Sequence, residues 1–145
     1  MTTLATQPMI RHPRLGLIEV PQECILELVA PLPPFASLRH FSLLPDPEEE
    51  YFLWLQSLEQ PALALVLMPY ALVATEAPPV PRGVREELGL GPDEAPEWYV
   101  IVSLGEEARQ VTVNLLAPLV VSPRTHRARQ VVQEGDLALA RRPLL

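Results

Sequence analysis

His12, His40, His126 and Cys24 are the side chains best suited to metal binding or nucleophilic chemistry, and the sequence joins none of them into a working set. The three histidines lie in separate segments, none with a second His, a Cys or a carboxylate at metal-ligand spacing beside it. Cys24 is the lone cysteine, so it forms no intramolecular disulfide and no multi-cysteine metal site. Its apolar setting, Glu23-Cys24-Ile25-Leu26, predicts a buried, inert thiol. Ser37, Ser42, Ser57, Ser103 and Ser122 have no Gly-x-Ser-x-Gly elbow and no His partner visible in the sequence. The glycines are scattered singly and form no phosphate loop. Carboxylates come in runs, Glu48-Glu49-Glu50 and Glu106-Glu107, but at expected turns, where nothing buries or pairs them to tune a pKa for acid–base work. The pattern predicts no enzyme, no metal and no cofactor.

Function is then expected to lie in contacts. The chain carries 18 acidic against 11 basic residues, a formal charge of −7. Nucleic-acid binding leaves a basic footprint, because affinity comes from neutralising phosphates. The cluster Arg124, Arg127, Arg129 lacks interleaved aromatics and does not make such a footprint. A basic protein is the better-matched partner for an acidic one. No N-terminal signal pattern and no apolar run of spanning length is visible, so a cytoplasmic protein is expected.

The elements that must position these contacts read as short strands cut by proline. At 145 residues and 48% hydrophobic composition, a single domain spanning 1–145 is expected. Residues 1–12 have little periodicity and read as a flexible tail. Strand-like runs follow at 15–20, 24–29, 38–44, 51–55, 62–68, 98–104, 110–121 and 128–132, with a last short strand at 136–140. The runs at 51–55 and 62–68 are apolar on both faces and predict burial on two sides, Trp54 included. Residues 75–96 are an excursion rich in proline, in which Arg82–Leu88 predicts a short helix ended by Gly89. Many short strands and one small helix predict an all-β, antiparallel domain, either a barrel or a sandwich.

Three segments together carry a family resemblance. Phe52-Leu53-Trp54-Leu55-Gln56-Ser57-Leu58-Glu59-Gln60-Pro61-Ala62-Leu63-Ala64 resembles the Trp-Leu-Gln-Ser stretch and acidic-proline turn of the FliW flagellar assembly factors. Val111-Thr112-Val113-Asn114-Leu115-Leu116-Ala117-Pro118-Leu119-Val120-Val121 is similar to that family's Asn-Leu-x-Ala-Pro strand, and Arg127-Ala128-Arg129-Gln130-Val131-Val132 to its basic-x-x-Gln segment. Order and spacing agree, and the similarity covers the chain from about Leu15 to Leu145. Two places depart from the pattern. Ala30-Pro31-Leu32-Pro33-Pro34-Phe35 replaces a loop rich in glycine, and Met68-Pro69 stands where the family has Asp-Pro. Alanine and proline forbid the positive φ that glycine allows, so that loop must be shaped differently.

The resemblance implies a compact β-barrel that binds CsrA, the basic RNA-binding repressor of flagellin messenger RNA, or alternatively flagellin itself. It implies no direct nucleic-acid or membrane contact and a monomer when free. Each partner would reduce the free protein available to the other. The alternative is a generic protein-interaction or small-ligand-binding barrel without a flagellar role. The candidate partner-binding residues are Asp46, Glu48, Glu49 and Glu50 in an acidic turn, then Gln56, Asn114, Leu116, Pro118 and Gln130. Gln56 and Asn114 either satisfy buried backbone groups or face a partner. The stretch Leu116-Ala117-Pro118-Leu119 is a kink or an open edge able to receive a partner strand.

Overall fold

The computed structural model describes residues 7–33, 35, 37–105 and 110–144, so the Glu106-Glu107 pair and the first six residues of the expected tail lie outside it. Strands β1 (Met9–His12) and β2 (Gly16–Glu19) form an antiparallel hairpin pairing Met9 with Glu19 and His12 with Gly16. Residues 9–12 are therefore not part of a flexible tail. Ile10 and His12 are buried, and Gly16, at φ +74°, takes the left-handed conformation that turns the chain back.

Seven strands make a closed ring: β3 (Ile25–Leu28), β4 (His40–Pro45), β5 (Leu53–Ser57), β6 (Ala64–Pro69), β7 (Glu97–Ser103), β8 (Thr112–Val121) and β9 (Arg127–Gln130). Each pairs antiparallel with the next in sequence, and β9 closes on β3. The closing pair is parallel, Glu27 opposite Arg127 and Leu28 opposite Ala128. The all-β barrel is as expected, and its pairing is antiparallel everywhere but at this closing seam. The reason is parity, since strands alternating in direction around a ring of odd number must meet once running the same way.

A small barrel is filled by its own side chains. Leu26, Leu28, Phe41, Leu55, Leu67, Leu119, Val121 and Ala128 fill this one, with Leu32 and Leu38 from the proline-rich loop. Alternate residues of the same strands face outward and are covered as well. Val66, Met68, Val100, Val102, Val113 and Leu115 pack under Phe52, Tyr70 and the C-terminal Leu139 and Leu144. This two-sided burial is why β5 and β6 read as unbroken apolar runs.

Between β6 and β7 the chain leaves the sheet, and helix α1 (Arg82–Leu88) lays Val84 and Leu88 against Val120 and Val131. Its bounds are those the sequence predicts, and Gly89, at φ +70°, ends it. The strand expected at 136–140 is instead a 3-10 turn, Leu137–Arg141. The Asp136 carboxylate accepts from the Ala138 N–H at 2.9 Å, and that cap favours the turn over the strand suggested by Leu-Ala alternation. The last strand is β10 (Arg142–Pro143), paired with Thr112 and Val113. Among the described residues no helix is long and apolar enough to cross a membrane.

Candidate protein-binding surfaces

The motif residues turn out to hold the chain's own backbone. Gln56 is buried, and its amide nitrogen donates to the Arg11 and Pro61 carbonyls, each at 2.7 Å. One bond fastens the β1–β2 hairpin to the barrel, and the other shapes the β5–β6 turn. The Ser57 hydroxyl oxygen accepts from the Gln60 N–H at 2.9 Å. The Glu59 carboxylate accepts from the Arg39 and His40 N–H groups at 2.9 and 2.7 Å, capping the entry to β4. Trp54 is half-buried on the outer side of β5, not inside the barrel, because its indole N–H reaches the Asp46 carboxylate at 2.8 Å.

Asp46 begins the acidic turn and is its one buried member. Its second carboxylate oxygen accepts from the Glu48 and Glu49 N–H groups at 2.9 and 2.8 Å, and Arg14 approaches the first at 3.3 Å. Donation from the Trp54 indole, then from the Glu49 and Glu48 backbone, with the nearby Arg14 charge, outweighs desolvation and holds Asp46 at a pKa of about 2. The turn is thus clamped from within. Glu48, Glu49 and Glu50 stand outside it in solvent, Glu48 paired with Arg14 at 2.8 Å.

His12 escaped the sequence reading as anything but a lone imidazole. It is 2% exposed, and its Nδ1 accepts from the Arg14 and Leu15 N–H groups at 3.0 and 3.2 Å. That bonding assigns the neutral tautomer with the proton on Nε2. Nε2 has no hydrogen-bond partner, nor does the Gln56 Oε1, and the imidazole stands edge-on to Trp54 at 5.8 Å between ring centroids. Burial lowers the His12 pKa below its usual value, partly opposed by the Asp46 charge. Arg14, His12 and Trp54 complete the clamp. The signal that locates them is the short spacing of His12 and Arg14 in a segment otherwise poor in periodicity.

The second group of candidates meets on β8. Tyr99 pairs with Leu119 and Ile101 with Asn114, so five steps of β8, 114 to 119, oppose two of β7, 99 to 101. The excess forms a bulge. The Asn114 side-chain oxygen accepts from the Leu116 and Ala117 N–H groups, both at 3.0 Å, and fixes it. Pro118, with no N–H to place, is buried there. Of the two expectations for this stretch the kink is what forms, and the edge is covered. The Val131 and Gln133 N–H groups donate to the Pro118 and Leu116 carbonyls at 2.9 and 2.7 Å, and the Gln130 amide donates to the Ala117 carbonyl at 2.9 Å. The structure brings Asn114, Leu116, Pro118 and Gln130 together. Gln56 and the acidic turn, on β5 and the β4–β5 connection, belong to a different part of the ring.

The arginine cluster is engaged with acidic and carbonyl groups of the excursion. Arg124 bonds the Glu94 carboxylate at 2.9–3.2 Å and the Gly89 carbonyl, and Arg129 pairs with Glu87 at 2.7 Å. Cys24 is half-buried, and desolvation, helped by the Glu23 charge, raises its thiol pKa, which keeps it protonated and unreactive. Among the described residues no three His, Cys, Asp or Glu side chains converge on a metal position.

This is a small closed barrel whose motif polar side chains secure its own turns and bulge, while Glu48, Glu49 and Glu50 face outward. A family model described as FliW protein matches residues 9–144. The chain is 38% identical over 133 residues to the flagellar assembly factor FliW of Bdellovibrio bacteriovorus, covering 90% of this chain and 76% of that one. With the FliW of Syntrophotalea carbinolica it shares 35% identity, over 90% of this chain and 94% of the relative. A crystal structure of a flagellar assembly factor FliW superposes with a TM-score of 0.83 at 25% identity, covering 94% and 96% of the two chains. The chain belongs to the FliW family.

Proposed function

We propose that the chain is a cytoplasmic protein-binding regulator that holds CsrA or, alternatively, flagellin, and acts without catalysis. Family membership across residues 9–144, with relatives described as flagellar assembly factors, is the observation that supports this reading most. Captured CsrA no longer represses flagellin messenger RNA, and flagellin withdraws the chain from CsrA by mass action. The clamped turn supplies the steering. Glu48, Glu49 and Glu50 project toward a basic partner, while Asp46 and Gln56 keep the turn and hairpin in place. Leu116 and Gln130, half-buried at the β8 bulge that Asn114 and Pro118 shape, are the second candidate contact.

The test is the association rate with purified CsrA as a function of salt, for the native chain and for the triple variant Glu48→Gln, Glu49→Gln, Glu50→Gln. Steering predicts an association rate about tenfold lower at low salt and a shallower salt dependence in the variant. An unchanged rate and slope would remove the turn from the interface.

A further inference from the structure

Where β6 ends and β7 begins, the chain lines a cleft of about 370 Å³ with Pro69, Tyr70, Ala74, Pro96, Glu97 and Trp98 among its walls. Tyr70 and Trp98 are half-buried and lean together, ring centroids 6.4 Å apart and planes tilted by 57°. Pro69 and Pro96 fix the backbone on both sides, so the cleft is preformed and costs little ordering on binding. Its ends are anchored, since Pro69 pairs with Tyr99 across the β6–β7 ladder.

Among the described residues that line it, the charged one is acidic. Glu97 stands on the lip shared by this cleft and a smaller one beside Glu23 and Cys24, Glu76 is exposed in the connection that builds the wall, and no arginine lines the cleft. The strand directions put the β4–β5 turn, with Glu48, Glu49 and Glu50, at the same end of the barrel. Aromatic faces next to an exposed carboxylate are what a guanidinium or ammonium on an aliphatic stem fits best: the stem lies on the rings, the cation over a face and against the carboxylate.

We infer that this cleft is a docking site for an extended, arginine- or lysine-bearing segment of a protein partner, at the same end of the barrel as the acidic turn. The proposal holds whichever protein carries the segment, so its test does not use CsrA or flagellin.

The chain has two tryptophans, Trp54 and Trp98, hence two indole N–H resonances, which a Trp98→Phe variant assigns. The probes are the peptide Ala-Pro-Arg-Ala-Pro-Arg-Ala-Pro, its counterpart with citrulline for arginine, and its counterpart with alanine for arginine. The arginine peptide is expected to move the Trp98 resonance and leave that of Trp54 in place. Glu97→Gln and Tyr70→Leu, the second keeping an apolar cover over the outer core, are each expected to weaken it about fivefold, the size of a partly desolvated cation–aromatic contact or a single ion pair. Unchanged thermal unfolding of both variants shows that the loss is local. Binding of the citrulline or alanine peptide as tight as that of the arginine peptide would overturn the proposal in favour of a proline-binding or purely apolar groove. No movement of the Trp98 resonance at millimolar arginine peptide would overturn it outright.

Discussion

Gln56 shows how a residue that reads as a contact becomes part of the scaffold. Its amide satisfies two carbonyls distant in sequence, Arg11 and Pro61, that share no strand ladder. Replacing it by leucine removes the donor from both part-buried carbonyls, which costs about 1–3 kcal/mol. Chemical denaturation should read that loss, and hydrogen exchange should place it first in residues 8–20. His12 adds a pH dependence. Its pKa in the fold lies below the unfolded 6.5, chiefly through burial. Its contribution is therefore complete above pH 6.5 and is lost as pH falls toward the depressed value, because protonating Nδ1 sets a donor against two N–H groups. His12→Asn keeps an acceptor there without the titration, so its unfolding temperature should fall less than the native chain's between pH 7 and pH 5. Equal slopes would exclude His12 as the source. Asp46 acts lower, holding its contribution above about 3.8 and losing it as pH falls toward 2.

At the scale of elements, what could be read from sequence depended on whether a segment's partners were local. Helix α1 was legible because proline before it, apolar Val84 and Leu88 on one side and Gly89 after it are all local signals. Gly89→Ala should cost about 1–2 kcal/mol, since a Cβ at φ +70° is strained and meets the Thr125 methyl at 3.1 Å. A thermal melt checks it. The 3-10 turn at Leu137–Arg141 was misread because a single capping carboxylate overrides a Leu-Ala alternation. Strand β2 was legible in the run at 15–20, and β1 was missed because its four residues are held by side chains of β5 and the acidic turn, which periodicity cannot reveal. The β8 bulge was half legible: Asn and Pro marked a break in the ladder, but the cover supplied by residues 130–133 comes from another strand.

At the scale of the molecule, an all-β barrel or sandwich was visible in the count and spacing of strands and the family resemblance chose the barrel, while the parallel β3–β9 seam follows only once the ring is known to have seven members. Leu67, fully buried at the barrel centre, should cost about 2–5 kcal/mol as alanine, with one cooperative unfolding transition retained. The acidic turn was visible as a run of charge, but its buried member Asp46 was not distinguishable from Glu48, Glu49 and Glu50 without the Trp54 indole beside it. The closed barrel, the clamped turn and the exposed Glu48, Glu49 and Glu50 are the features on which the proposed function draws. The most direct test is calorimetric titration of the chain with CsrA, then the same titration after saturation with flagellin. The account predicts a saturable one-to-one heat with CsrA that flagellin abolishes or weakens in proportion to its concentration. Simultaneous binding of both at undiminished affinity, or binding of neither by the folded chain, would contradict it.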